Sequence, residues 1–178
     1  MSHGILVQEK VAALNIDSYN RSVVSASAID NGNVFNLLTR SVTGSSGCEV
    51  WTATQIATGS TVDIWMAYEP EVVLVNSGNS YYKGIDPDPR NFYNVAGTVF
   101  SAFKPQIGDI LTMTADSLSS SSKAAYAVAT VGTYKLTWGA NSIAGLSLRF
   151  LSDTYLSIGS GAIDTQRVAA FKFEVVTI

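Results

Sequence analysis

Apolar and polar positions alternate with a period of two over much of this chain, and sustained helical spacing is almost absent. Over 61–68, Val62, Ile64, Met66 and Tyr68 fall on one side and Asp63, Trp65 and Ala67 on the other. Over 110–115, Ile110, Thr112 and Thr114 oppose Leu111, Met113 and Ala115. Tyr134, Leu136 and Trp138 alternate with Lys135 and Thr137, Leu146, Leu148 and Phe150 with Ser147 and Arg149, and Phe171, Phe173 and Val175 with Lys172 and Glu174. This is the pattern of strands with two different faces. Further strands are predicted over 34–42, 48–56, 125–131 and 155–158, and a nearly continuous apolar run over 71–75 reads as a strand covered on both sides. Only Val7, Val11 and Leu14 fall at helical spacing, and an apolar arm or first strand explains them equally well.

Turn residues separate these runs: Asp30-Asn31-Gly32-Asn33, Gly44-Ser45-Ser46-Gly47, Asn76-Ser77-Gly78-Asn79-Ser80, Pro105-Gln106-Ile107-Gly108-Asp109 and Gly159-Ser160-Gly161. About ten short strands at this spacing predict an all-β fold, an antiparallel β-sandwich or open barrel. Residues 1–178 are expected to form a single β domain, with an N-terminal arm over 1–33 and a subdomain seam near 117–123, where Ser119, Ser120, Ser121 and Ser122 run together. The segment 81–94, with Asp86-Pro87-Asp88-Pro89 at its centre, reads as an exposed loop with ordered aromatics at its base, because proline lacks a ladder donor.

Composition narrows the function. Charged residues make up 14 % of the chain, against about 25 % in average proteins, so the polar surface is built from Ser, Thr, Asn and Gln. The net charge is −3 and the basic residues are scattered, which argues against a nucleic-acid partner. No apolar run approaches the length of a membrane helix and the N-terminus has no secretory pattern, so no membrane partner and synthesis in the cytoplasm without a leader are expected. The single cysteine, Cys48, excludes an intrachain disulfide, and with the single histidine, His3, it cannot complete a zinc site. His3 stands near a chain end that ordinarily frays, a poor place for a catalytic triad member.

Glu69 and Glu71 flank Pro70 and could point the same way about 7 Å apart, a spacing compatible with glycoside hydrolysis. Two solvated acids before a buried strand is the plainer reading. Asp86 and Asp88 make a restrained turn before they make a calcium loop, and no glycine pattern cradles a phosphate. No catalytic residue, metal or cofactor is therefore assigned. Trp51, Trp65, Tyr81, Tyr82, Phe92 and Tyr93 either fill the core or anchor a partner. The candidate interface is placed, from loop position and residue type, at Tyr81, Tyr82, Asp86, Asp88, Phe92 and Tyr93.

The runs Pro105-Gln106-Ile107-Gly108-Asp109, Ala125-Tyr126-Ala127-Val128-Ala129, Tyr134-Lys135-Leu136-Thr137-Trp138-Gly139 and Phe171-Lys172-Phe173-Glu174-Val175-Val176 resemble those of the decoration, or cement, proteins of tailed-phage capsids. The resemblance covers 105–178 and consists of strand and turn patterns. It implies a non-enzymatic virion protein on the capsid exterior, with the major capsid protein as partner, and is compatible with either a homotrimer or a monomer. The alternative is a carbohydrate-binding or receptor-binding β module of a phage fibre or surface protein.

Overall fold

A computed structural model describes residues 3–41, 49–57, 63–71, 73–76, 83–86, 88–119, 122–158 and 166–178. The chain is all-β, with 3-10 turns as the only helical elements among the described residues. The strands are β1 (Leu6–Lys10), β2 (Asn20–Ser25), β3 (Val34–Ser41), β4 (Val50–Thr54), β5 (Ile64–Ala67), β6 (Val73–Asn76), β7 (Lys83–Asp86), β8 (Val99–Phe103), β9 (Ile110–Thr114), β10 (Tyr126–Val128), β11 (Thr137–Gly139), β12 (Ser147–Ile158) and β13 (Gln166–Thr177).

Two layers result. Six strands form an antiparallel sheet in the order β1-β9-β13-β12-β10-β11, and five close into a barrel in the order β2-β4-β3-β5-β8. Strands β6 and β7 pair as a separate antiparallel hairpin. The expected antiparallel pairing holds except between β2 and β4, which run parallel, Ser22 beside Val50 to Ser25 beside Ala53. Strand β4 pairs with β3 on its other side and so lies between β2 and β3.

Period-two alternation explains why the start of β3, residues 34–36, and β5 are buried on both faces. Phe35, Trp65 and Ala67 point into the barrel, where they meet Val23, Ile29, Ala53, Phe100 and Ala102. Their neighbours Val34, Ile64 and Met66 point out of it and pack, with Phe103, against Leu6, Leu111, Met113, Leu148, Phe173 and Val175 of the sheet. The second cluster is shared by both layers. An aromatic group lies within it: Trp138 stands 5.5 Å from Phe173 and 5.4 Å from Phe171, and Phe150 packs edge-on to all three.

Residues 3–33 are woven into these layers. Strand β1 pairs with β9, Leu6 opposite Met113, and β2 is a barrel strand. Ser117 and Leu118 are buried, Leu118 within the shared core, so the stretch where a seam was expected begins inside the packing. Two glycines permit a close approach there. A Cβ on Gly4 would collide with the backbone of Ser117, and Gly32, at φ +83°, would press one onto the Met113 sulfur.

Candidate functional site

Of the six candidate interface residues, Tyr81 and Tyr82 lie outside the described residues. Asp86 ends β7, opposite Val73 of β6, so the segment expected as a loop contains a strand. The apolar run of β6 finds its ladder partner there, which outweighs the proline signal. Asp88 caps the 3-10 turn Pro89–Asn91. Its carboxylate accepts the Arg90 backbone N–H at 2.9 Å and takes the guanidinium on both oxygens, with Nη2 at 2.7 Å. The Arg90 hydrogen bonds hold the Asp88 carboxyl below its usual range. Phe92 is half-buried and Tyr93 is exposed.

Tyr93 stacks on His3 with ring centroids 4.7 Å apart. His3 is no frayed end: its N–H donates to the Arg90 carbonyl at 2.8 Å and its Nδ1 lies 2.7 Å from Asp30 Oδ1. Arg90 Nη2 also donates to Gln166 Oε1 at 2.9 Å. The start of the chain, the turn at Asp30, the 3-10 turn and the start of β13 are thereby tied together. Sequence reasoning missed this cluster because its members are far apart along the chain.

Glu69 and Glu71 are not a pair of solvated acids. Glu69 Oε2 accepts the Ser101 N–H at 2.8 Å. Glu71 is half-buried and accepts from Asn31 Nδ2 at 3.0 Å. Burial pushes the Glu71 carboxyl above its usual range, against the opposing pull of hydrogen bonds from Asn31 and the Leu6 N–H. A carboxyl whose folded value is raised binds its proton more tightly in the folded chain than in the unfolded one. Its favourable contribution is present below the ordinary carboxylate value and is lost as pH rises through the raised one. In urea unfolding series at successive pH values, Glu71→Gln should flatten this decline and leave the variant no less stable than the wild type at neutral pH. A decline that persists unchanged in the variant would contradict the assignment.

The two outer faces differ in chemistry. On the outside of the six-stranded sheet, Lys172 pairs with Glu9, which also accepts the Thr112 hydroxyl at 2.6 Å, and Arg149 pairs with Glu174. Hydrogen bonds from Lys172 and Thr112 lower the Glu9 pKa. On the barrel, the positions of β8, β2 and β4 that point away from both clusters are Val99 and Ser101, Asn20, Ser22 and Val24, and Val50, Thr52 and Thr54. None is charged. Val24 lies beside Val99 on one side and Thr52 on the other, and Ser22 beside Ser101 and Val50. Val99 is 58 % exposed, and so is Leu38 at 57 %, in the bulge of β3 opposite β4. Arg40 and Glu49 form an ion pair at the rim.

A shallow pocket lies between the layers, lined by Asp63, Ile64, Lys104, Leu146 and Ile178, and Lys104 is taken up by an ion pair with Asp63. Among the described residues no group of three or more His, Cys, Asp and Glu side chains could hold a metal ion. No described helix is long and apolar enough to cross a membrane. Comparison with protein-family models, with curated proteins and with solved structures finds no match.

Proposed function

We propose that this chain is a non-enzymatic virion protein that binds the outer surface of a tailed-phage capsid, through its major capsid protein, and reinforces it. The observation that carries the reading is the contrast between the two outer faces. The outward positions of β8, β2 and β4 carry no charged side chain and are partly apolar, with Glu69 at the Ser101 margin of the face, while the opposite sheet face carries paired charges. Interface centres are depleted of charge relative to the rest of a protein surface. From strand spacing and rise, the uncharged face is of the order of 15 Å on a side, which is small for a stable one-to-one complex. Many identical sites on a shell convert such a face into a firm attachment by avidity.

The carbohydrate-binding alternative draws on exposed aromatics between Trp65 and Tyr93; of these Trp65 is buried inside the barrel, Phe92 is half-buried and Tyr93 is exposed with its ring stacked on His3. The test is co-sedimentation of the purified protein with capsids of the phage that encodes it. Saturable binding at a fixed ratio per capsid subunit is expected. Absence of binding to both mature and immature shells at micromolar concentration would overturn the reading.

A further inference from the structure

Strands β2, β4 and β5 begin, and β3 and β8 end, at one mouth of the barrel. Alternation carries the inward face of each strand out to this mouth. Arg21 shares the inward face of β2 with Val23, and its guanidinium carbon stands 5.4 Å from the centre of the Trp65 ring. Arg40 lies opposite Trp51, and Glu49, Asp63 and Lys104 flank the ends of β4, β5 and β8. These side chains form a charged collar. Arg40 pairs with Glu49, and Lys104 with Asp63. Arg21 is left over: its Nη1 donates to the Asn20 carbonyl at 2.8 Å, and no carboxylate pairs with it among the described residues.

Beneath the collar stand Trp65, part of the barrel core, and Trp51, packed against that core. Trp65 is 5 % exposed. Both indole Nε1 atoms are shielded from bulk water, and neither N–H meets an acceptor. An indole N–H can only donate, and buried donors are almost always paired. Two unpaired indole donors and an unpaired guanidinium at one mouth call for the same complement, an oxygen that accepts and carries negative charge. The mouths of β-barrels are common places for small-ligand sites.

The collar also selects the anion. Its three cations and two carboxylates leave one positive charge in excess. A carboxylate balances that charge, whereas a phosphate near its dianionic form overshoots it. The forked guanidinium also matches the two oxygens of a carboxylate. We propose that this mouth binds the carboxylate of a small ligand, held by Arg21 and by the indole N–H groups of Trp51 and Trp65. Binding draws the Arg21 guanidinium off the Trp65 face onto the anion and opens the indole edge to it. The site uses inward positions of the barrel strands and does not depend on the capsid reading.

The test is a titration of the full chain with sodium acetate at neutral pH, up to about 50 mM because so small a probe binds weakly. Sodium chloride holds the ionic strength constant. The readout is the indole N–H signals in 1H–15N spectra, assigned by Trp51→Phe and Trp65→Phe. The Trp51 and Trp65 signals should move to lower field and saturate, while that of Trp138 stays in place. Arg21→Gln should raise the dissociation constant at least tenfold. Glu49→Gln, at an exposed position, removes a carboxylate from the collar and should tighten binding. Indole signals indifferent to acetate, a stronger response to inorganic phosphate, or a response undiminished in Arg21→Gln would overturn the proposal.

Discussion

Replacing Asn31 with alanine should lower folding stability by about 3 kcal/mol, since each buried polar group left unpaired costs roughly 1–3 kcal/mol. Asn31 is fully buried. Its Nδ2 donates to the Glu69 carbonyl at 2.8 Å and to Glu71 Oε1 at 3.0 Å, and its Oδ1 accepts the Glu69 N–H at 3.0 Å. Asn94 Nδ2, which donates to the Ile29 carbonyl at 3.0 Å, reaches the same oxygen at 3.4 Å. Truncation removes the donor to a half-buried carboxylate and the partners of a backbone segment that leaves β5. Urea unfolding followed by tryptophan fluorescence measures the loss, and a change below about 0.5 kcal/mol, the range of ordinary surface substitutions, would show that the network is not a structural lock. Asn31→Asp sharpens the test. It keeps an acceptor for Glu69 but sets a second carboxylate against Glu71, so its deficit should shrink as the pH is lowered.

Phe173→Ala and Phe35→Ala should each cost about 4 kcal/mol, as truncation of a fully buried phenylalanine ordinarily does. Both side chains are fully buried. Phe173 belongs to the core shared by the two layers and Phe35 to the barrel interior. Because Val34, Ile64 and Met66 sit back to back with Phe35 and Trp65 on the same strands, the two clusters should melt together. Calorimetry should show one transition, displaced downward by either substitution. Two transitions, each sensitive to only one of the substitutions, would mean that barrel and sheet fold separately.

Strands that carry a large apolar side chain at alternate positions were legible from sequence. The alternation over 61–68 placed Ile64 and Met66 opposite Trp65 and Ala67, and the structure sends these pairs into different cores. Strands β9 and β13 likewise lie where their alternation puts them. Strand β2 is not legible in the sequence because its outward positions, Asn20 and Ser22, have the composition of a loop, and its inward Val23 is flanked by Arg21 and Ser25. Strand β8 follows the glycine turn at Gly97, and its signal is confined to Phe100 and Ala102 alternating with Val99 and Ser101. Strand β12 reads from sequence as two pieces because Ser152, Asp153 and Thr154 interrupt its apolar pattern, while its partner β13 holds it continuous.

Barrel closure and the parallel β2–β4 pair depend on contacts between distant segments, which no local pattern encodes. The same reason hid the tethering of His3 and the burial of Glu71. Each looks solvated beside its sequence neighbours, and each takes its partners from elsewhere in the chain.

The most direct test of the account is the capsid-binding assay repeated with Thr52→Glu and Val99→Glu together, which place charge on the barrel face, beside Arg149→Ala, which removes an ion pair from the sheet face. The barrel variant, folded by circular dichroism, is expected to lose saturable binding while the sheet variant binds as the wild type does. Undiminished binding by the barrel variant, or loss confined to the sheet variant, would contradict it.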